Sequence, residues 1–237
     1  MLPEAALGPF DSSDHLFEPS WGGTRVLAFI EGAPDQGRAP LRLLDEHGRD
    51  LAPLLPDLRS LGDRVTAESA VLDGEIVVVD RLGRADAPAL ASRLRGRPGP
   101  AVAFLVFDVL YQDGRPLLNL ALERRREILR RLLKPGDEAV AVPAIAGEGR
   151  ALYAAIVEAG IAGVMARSRL SPYLPGVRSR LWQFIARREP APGLTDDASS
   201  GPAEGEAEGD PDAGASAGNA PMLALIRRLP LDDVSPE

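Results

Sequence analysis

Hydrophobic and polar positions divide the chain into short apolar runs and helical stripes. Residues 24–31 (Thr-Arg-Val-Leu-Ala-Phe-Ile-Glu), 69–80 (Ser-Ala-Val-Leu-Asp-Gly-Glu-Ile-Val-Val-Val-Asp) and 101–111 (Ala-Val-Ala-Phe-Leu-Val-Phe-Asp-Val-Leu-Tyr) are rich in β-branched and aromatic side chains and bounded by Gly, Pro or Asp, so they read as strands. Residues 121–133 repeat at helical spacing instead. There Leu122, Ile128, Leu129, Leu132 and Leu133 fall on one side, while Glu127 can pair with Arg130 and Arg131 on another. The run Arg124-Arg125-Arg126, offset by Glu123 and Glu127, reads as the solvated face of this helix. A second helix is predicted over 150–159 with Gly160 as its C-cap, and shorter ones around 53–61 and 87–95. Together these elements predict an α+β domain in which strands outnumber long helices.

The pattern stops at Arg188. Residues 189–220 are Asp, Glu, Ser, Gly, Ala and Pro with almost no large apolar side chain, too little to offset the entropy of ordering the chain, so a disordered acidic linker is expected there. The last segment, 221–237, contains an apolar island from Met222 to Leu231. It reads either as a strand or turn that docks on its own domain or as a linear motif for a protein partner. Residues 1–188 are the candidate globular domain, long enough for one good-sized core.

Composition narrows the chemistry. The absence of cysteine excludes disulfides, thiolate nucleophiles and Cys-based zinc sites, and two histidines, His15 and His47, give poor support for a multi-histidine metal site or a Ser-His-Asp triad. Residues 1–188 carry 25 Arg and Lys against 24 Asp and Glu, whereas residues 189–237 carry 2 against 11, so the net charge of −8 belongs to the tail. Lysine occurs once, as Lys134 in a Leu-Lys-Pro-Gly turn that reads as surface. Arginine can replace lysine as a solvated cation but not as a nucleophile, because a guanidinium keeps its proton at any working pH. No run approaches the roughly 20 apolar residues a membrane helix needs, and the N-terminus has no basic-then-apolar leader, so a cytoplasmic protein is the default expectation.

An ordered set of motifs then stands out. Glu18-x-Ser20-x-Gly22-Gly23-x-Arg25 is followed by Leu72-Asp73-Gly74-Glu75-Ile76 and by Phe104-x-x-Phe107-Asp108-x-Leu110-Tyr111-x-Asp113-Gly114. Next come Ala162-Gly163-Val164-Met165-Ala166-Arg167, Ser171-x-Tyr173-x-x-Gly176 and Arg178-Ser179-x-x-Trp182. In order and spacing they resemble the adenylation domain of ATP-dependent DNA ligases, especially the bacterial repair type, over roughly residues 8–187. The resemblance implies a DNA ligase/mRNA-capping-enzyme-like nucleotidyltransferase (ATP-grasp-like) domain with mainly antiparallel sheets flanked by helices. It implies ATP or AMP with magnesium as cofactors if the site still binds, and nicked DNA or DNA-repair proteins as partners. By the same resemblance Glu18 would recognise adenine, Arg25 the ribose and phosphate side, and Glu75 the ribose and a metal. Phe107 would stack on adenine, with Val164 and Met165 on the opposite wall.

The chain departs from that pattern where charge must move. The family's Lys-x-Asp-Gly is Ser20-Trp21-Gly22-Gly23, so the nucleophile position holds Ser20 and the neighbouring aspartate is gone. The arginine of the family's Ser-Arg-x-Gly turn aligns with Glu46, its metal-binding glutamate with Ala162, and the lysine ending that motif with Arg167. After Trp182 the family's Lys-x-Lys is Phe184-Ile185-Ala186. Each lost cation is expected to matter by something like 10²-fold or more, on the scale of single transition-state donors. The 50 residues after Arg187, low in complexity and 11 of them acidic, are expected to be too few for the oligonucleotide-binding barrel that follows in these ligases. Glu18 and Arg25 are expected to pair with each other or with Glu46. Three functions fit: a ligase-fold binding or scaffolding module without self-adenylation, a ligase completed by a partner, and a noncovalent adenine-nucleotide sensor.

Overall fold

A computed structural model describes residues 1–31 and 40–188, so the linker and apolar island expected beyond 188 lie outside the described residues. In chain order the strands are β1 (Leu2–Ala5), β2 (Ser12–Ser20), β3 (Thr24–Ile30), β4 (Leu41–Leu44), β5 (Ala70–Val77), β6 (Ala103–Gln112), β7 (Arg115–Pro116), β8 (Ala139–Ala141), β9 (Ile145–Gly147), β10 (Gly163–Ser168) and β11 (Arg178–Ala186). The helices are α1 (Leu61–Arg64), α2 (Ala87–Arg93), α3 (Leu122–Leu132) and α4 (Gly149–Ala159). One sheet runs β1-β11-β10-β2-β9 and the other β4-β3-β5-β6-β7, with β8 added beside β6. Pairing is antiparallel except for β1 on β11 and β8 on β6. The expected α+β architecture of mainly antiparallel sheets flanked by helices is the one observed.

Three apolar clusters organise these layers. One face of the second sheet buries Val26, Ala28, Leu72, Phe104 and Val106 against Leu51, Leu55, Leu58, Leu61 and the α3 residues Leu129 and Leu132. The other face places Val77, Ala103 and Leu105 with Phe17, Val164, Ile185 and the α4 residues Leu152 and Ile156. Strand β6 is thus covered on both sides, which is why its sequence reads as a continuous apolar run. A third, smaller cluster joins the two sheets through Phe107, Leu110, Met165, Tyr173 and Trp182.

Most predicted elements are present. Gly160 closes α4 in the left-handed region at φ 72° and donates to the carbonyls of Ile156 and Val157, as a C-cap glycine does. Asp86 caps α2 by accepting from the Ala89 amide at 2.8 Å. The helix expected around 53–61 is instead two 3-10 turns, Ala52–Leu54 and Pro56–Leu58, followed by α1. Its apolar residues do have helical spacing, but Pro53 and Pro56 lack the amides a continuous helix needs there.

Candidate functional site

Alternation along the strands aims a specific set of side chains between the two sheets. Strand β2 contributes Glu18 and Ser20, β10 Met165 and Arg167, and β11 Trp182 and Phe184. From the other sheet come Arg25, Glu75 and Phe107. Together they line one cavity of about 230 Å³. Of the site residues expected from the sequence, Glu18, Ser20, Arg25, Glu75, Phe107, Met165 and Arg167 are in this lining. Val164 is not, since it points to the opposite face of β10 and into the core beneath.

Glu18 is held from two sides in the cavity. It is buried, its Oε1 accepts from Arg126 Nη1 at 2.7 Å, and its Oε2 accepts from Arg167 Nη1. Arg126 also donates to the carbonyls of Phe107 and Val142. The Arg167 guanidinium lies over the Phe107 ring, 4.1 Å from its centroid, and 4.6 Å from that of Trp182. Phe107 and Trp182 meet edge to face at 6.2 Å, forming an aromatic corner around that cation. Among the described residues, Arg167 Nε and Trp182 Nε1 are buried donors with no hydrogen-bond partner.

Arg25 is committed elsewhere. Its Nε donates to Asp73 Oδ1 at 2.9 Å and its Nη2 to Asp73 Oδ2 at 2.5 Å, while Nη1 reaches the Met1 carbonyl. Tyr173 Oη donates to Asp73 Oδ2 at 2.8 Å. Burial and the Asp73 charge push this phenol well above its ordinary range, so it remains a donor at any working pH. Glu18 and Arg25 therefore pair neither with each other nor with Glu46, against expectation. Glu46 is exposed beside His47 and borders an adjoining cleft of about 670 Å³ that shares Gly23 and Arg25 with the cavity.

Glu75 holds the loop between β2 and β3. Its two oxygens accept from the amides of Trp21 at 2.9 Å and Gly23 at 3.2 Å. Burial raises its pKa, and the two amides pull against that shift. The tight loop needs glycine at position 23, because a Cβ there would stand 2.2 Å from the Ile76 carbonyl oxygen. With both Glu75 oxygens used inside the loop and Asp73 held by Arg25 and Tyr173, the carboxylates fit a magnesium ion poorly. Among the described residues no cluster of three or more His, Cys, Asp or Glu is placed to hold a metal. The lining also contains no lysine and no histidine.

The main error of sequence reasoning lies in α3. Arg125 and Arg126, assigned to a solvated face, are buried. Arg125 holds Asp108 through two bonds of 2.8 Å and donates to the carbonyls of Leu120 and Ser171. The signal was present, because both arginines stand three and four residues from Leu122 and from Leu129 and so share their buried face. Of the three arginines in the run only Arg124 is exposed, and it pairs with Glu127 at 2.5 Å.

Two sheets closing on a carboxylate, an aromatic ring and a glycine-tight loop form the cleft that the resemblance to a ligase-type nucleotidyltransferase domain implies. Residues 3–184 match the family model described as ATP dependent DNA ligase domain, and the chain belongs to that family. It is 34% identical over 172 residues to the multifunctional non-homologous end joining DNA repair protein LigD of Mycobacterium tuberculosis, which covers 72% of this chain and 21% of that protein. The ligase domain of M. tuberculosis LigD superposes with a TM-score of 0.65 at 31% identity, covering 78% of this chain and 58% of that one. A mycobacterial DNA ligase D complexed with ATP and MES gives 0.64 at 29% identity, covering 78% and 59%. The chain thus spans about a fifth of the length of its LigD relatives. No helix among the described residues is long and apolar enough to cross a membrane.

Proposed function

We propose that this chain is a ligase-fold module that no longer adenylates itself and that serves DNA repair by binding, engaging nicked DNA or repair proteins without sealing strands. One observation carries the reading: where the nucleophilic amine should face the nucleotide, the lining offers Ser20 and no lysine. The single lysine, Lys134, is exposed in the turn between α3 and β8. The engaged oxygens of Glu75 and Asp73 support the same reading, since a partner completing the reaction would have to supply an amine and metal ligands together. The repair setting rests on the end-joining relatives, and the apolar run 222–231 is the candidate protein-binding segment.

Incubation with ATP and magnesium followed by intact-mass measurement tests the proposal. No adduct is expected, and a stoichiometric adenylate would refute it. The double variant Ser20→Lys with Gly22→Asp is also expected to stay unmodified. Gly22 has φ 73° and a Cβ there would stand 3.1 Å from Ala162 Cβ, so the restored aspartate meets a strained backbone as well as the missing cations.

A further inference from the structure

We infer that Arg167 is an internal occupant of the base-binding slot and that it excludes purines from the cavity. The inference rests on the reading of this cavity as a nucleotide site and goes beyond the loss of the nucleophile, since it concerns noncovalent binding.

The slot has two chemical demands. The Phe107 face needs a flat group stacked on it, and the Glu18 edge needs in-plane N–H donors. An aminopurine meets both, and so does a guanidinium, which is planar, carries its donors in the plane and stacks on aromatic rings. Arg167 satisfies both demands at once. Its Cζ is 4.1 Å from the Phe107 centroid, and its Nη1 donates to Glu18 Oε2. Arg126 takes the remaining Glu18 oxygen, so both oxygens are already engaged by guanidinium donors and a base would have to compete for them. A stacked ring and Arg167 cannot share the same face of Phe107. Lysine at this position would behave differently, because an ammonium is a compact point charge that can pair with Glu18 without covering the ring.

The fit of Arg167 is incomplete. Among the described residues its Nε is buried with no hydrogen-bond partner, as is Trp182 Nε1 beside it. The guanidinium therefore covers the slot without fulfilling its own hydrogen-bonding capacity. Removing it leaves Glu18 paired with Arg126, so the buried carboxylate keeps a counter-charge and the fold keeps its ion pair.

The test is calorimetric titration with adenosine, using uridine as the comparison, on the wild type, Arg167→Ala, Arg167→Lys and Met165→Ala. Thermal melts establish that each variant is folded. Met165→Ala enlarges the same cavity while leaving Arg167 over Phe107. The expectation is that the wild type and Met165→Ala bind adenosine weakly, and that both Arg167 variants bind it at least about tenfold more tightly with no matching gain for uridine. Equal adenosine affinity in the wild type and folded Arg167 variants would overturn the inference. So would an equal gain in Met165→Ala, since cavity size alone would then govern binding. The two readings fail separately: an ATP-derived adduct on the wild type defeats the loss of self-adenylation, whereas tight adenosine binding without an adduct defeats only the occlusion.

Discussion

Two buried carboxylates, Asp108 of β6 and Glu18 of β2, are each gripped by an arginine of α3, yet the surroundings are finished differently. At Asp108, Arg125 supplies two bonds beside that of the Val109 amide and spends its Nη1 donors on the Leu120 and Ser171 carbonyls, with neither side chain exposed. At Glu18, Arg126 supplies one bond and Arg167 the other, and among the described residues the Nε of the latter has no partner beside the cavity. The first arrangement fastens helix to sheet. The second retains the form of a binding site whose ligand has been replaced by a side chain.

Substitutions should separate the two arrangements. Asp108→Ala strands a fully buried guanidinium and is expected to destabilise by about 3–5 kcal/mol in denaturant unfolding; a loss below 1 kcal/mol would show that water reaches Arg125. Arg126→Met removes one partner of Glu18 and the donors to two carbonyls, for an expected loss of about 2–3 kcal/mol by the same measurement. Arg167→Ala is expected to cost only about 1 kcal/mol, because Glu18 keeps Arg126 and an orphaned donor disappears with the side chain. A loss equal to that of Asp108→Ala would erase the distinction between the sites.

The smallest expected effect is in pH dependence. Burial raises the folded-state pKa of Glu75 above its ordinary 4.5, opposed by the amides of Trp21 and Gly23. Between the two values the native protein holds a proton that the unfolded chain has released, so this group's contribution to stability falls as pH rises. The stability difference between wild type and Glu75→Gln should therefore move against the wild type as pH increases above 4.5. A flat difference across that window would mean that Glu75 titrates normally.

How much of this was legible in the sequence follows from what each strand faces. Strands β3, β5 and β6 bury apolar residues, and their runs at 24–31, 69–80 and 101–111 announce them. Strands β2 and β10 were visible as motifs and not as strands, because their cleft faces carry Glu18, Ser20 and Arg167 and interrupt a continuous apolar run, and in β11 Arg178, Arg180 and Gln183 do the same. The motif order identified the cavity lining nearly in full. It could not reveal which partners the charged groups had taken, since Arg126 and Glu18 are 108 residues apart. Arg125 and Arg126 also show that a charge on the apolar side of a helix becomes a core residue where a carboxylate waits beneath it.

The Lys134 turn has a consequence of another kind. Acetylation and related acyl modifications act on lysine amines and leave guanidinium groups alone. The cations lining this cleft, Arg25 and Arg167, are both beyond that chemistry. A cell could decorate Lys134 on the surface, but the charge inside the cleft would keep its value whatever the acyl-donor supply.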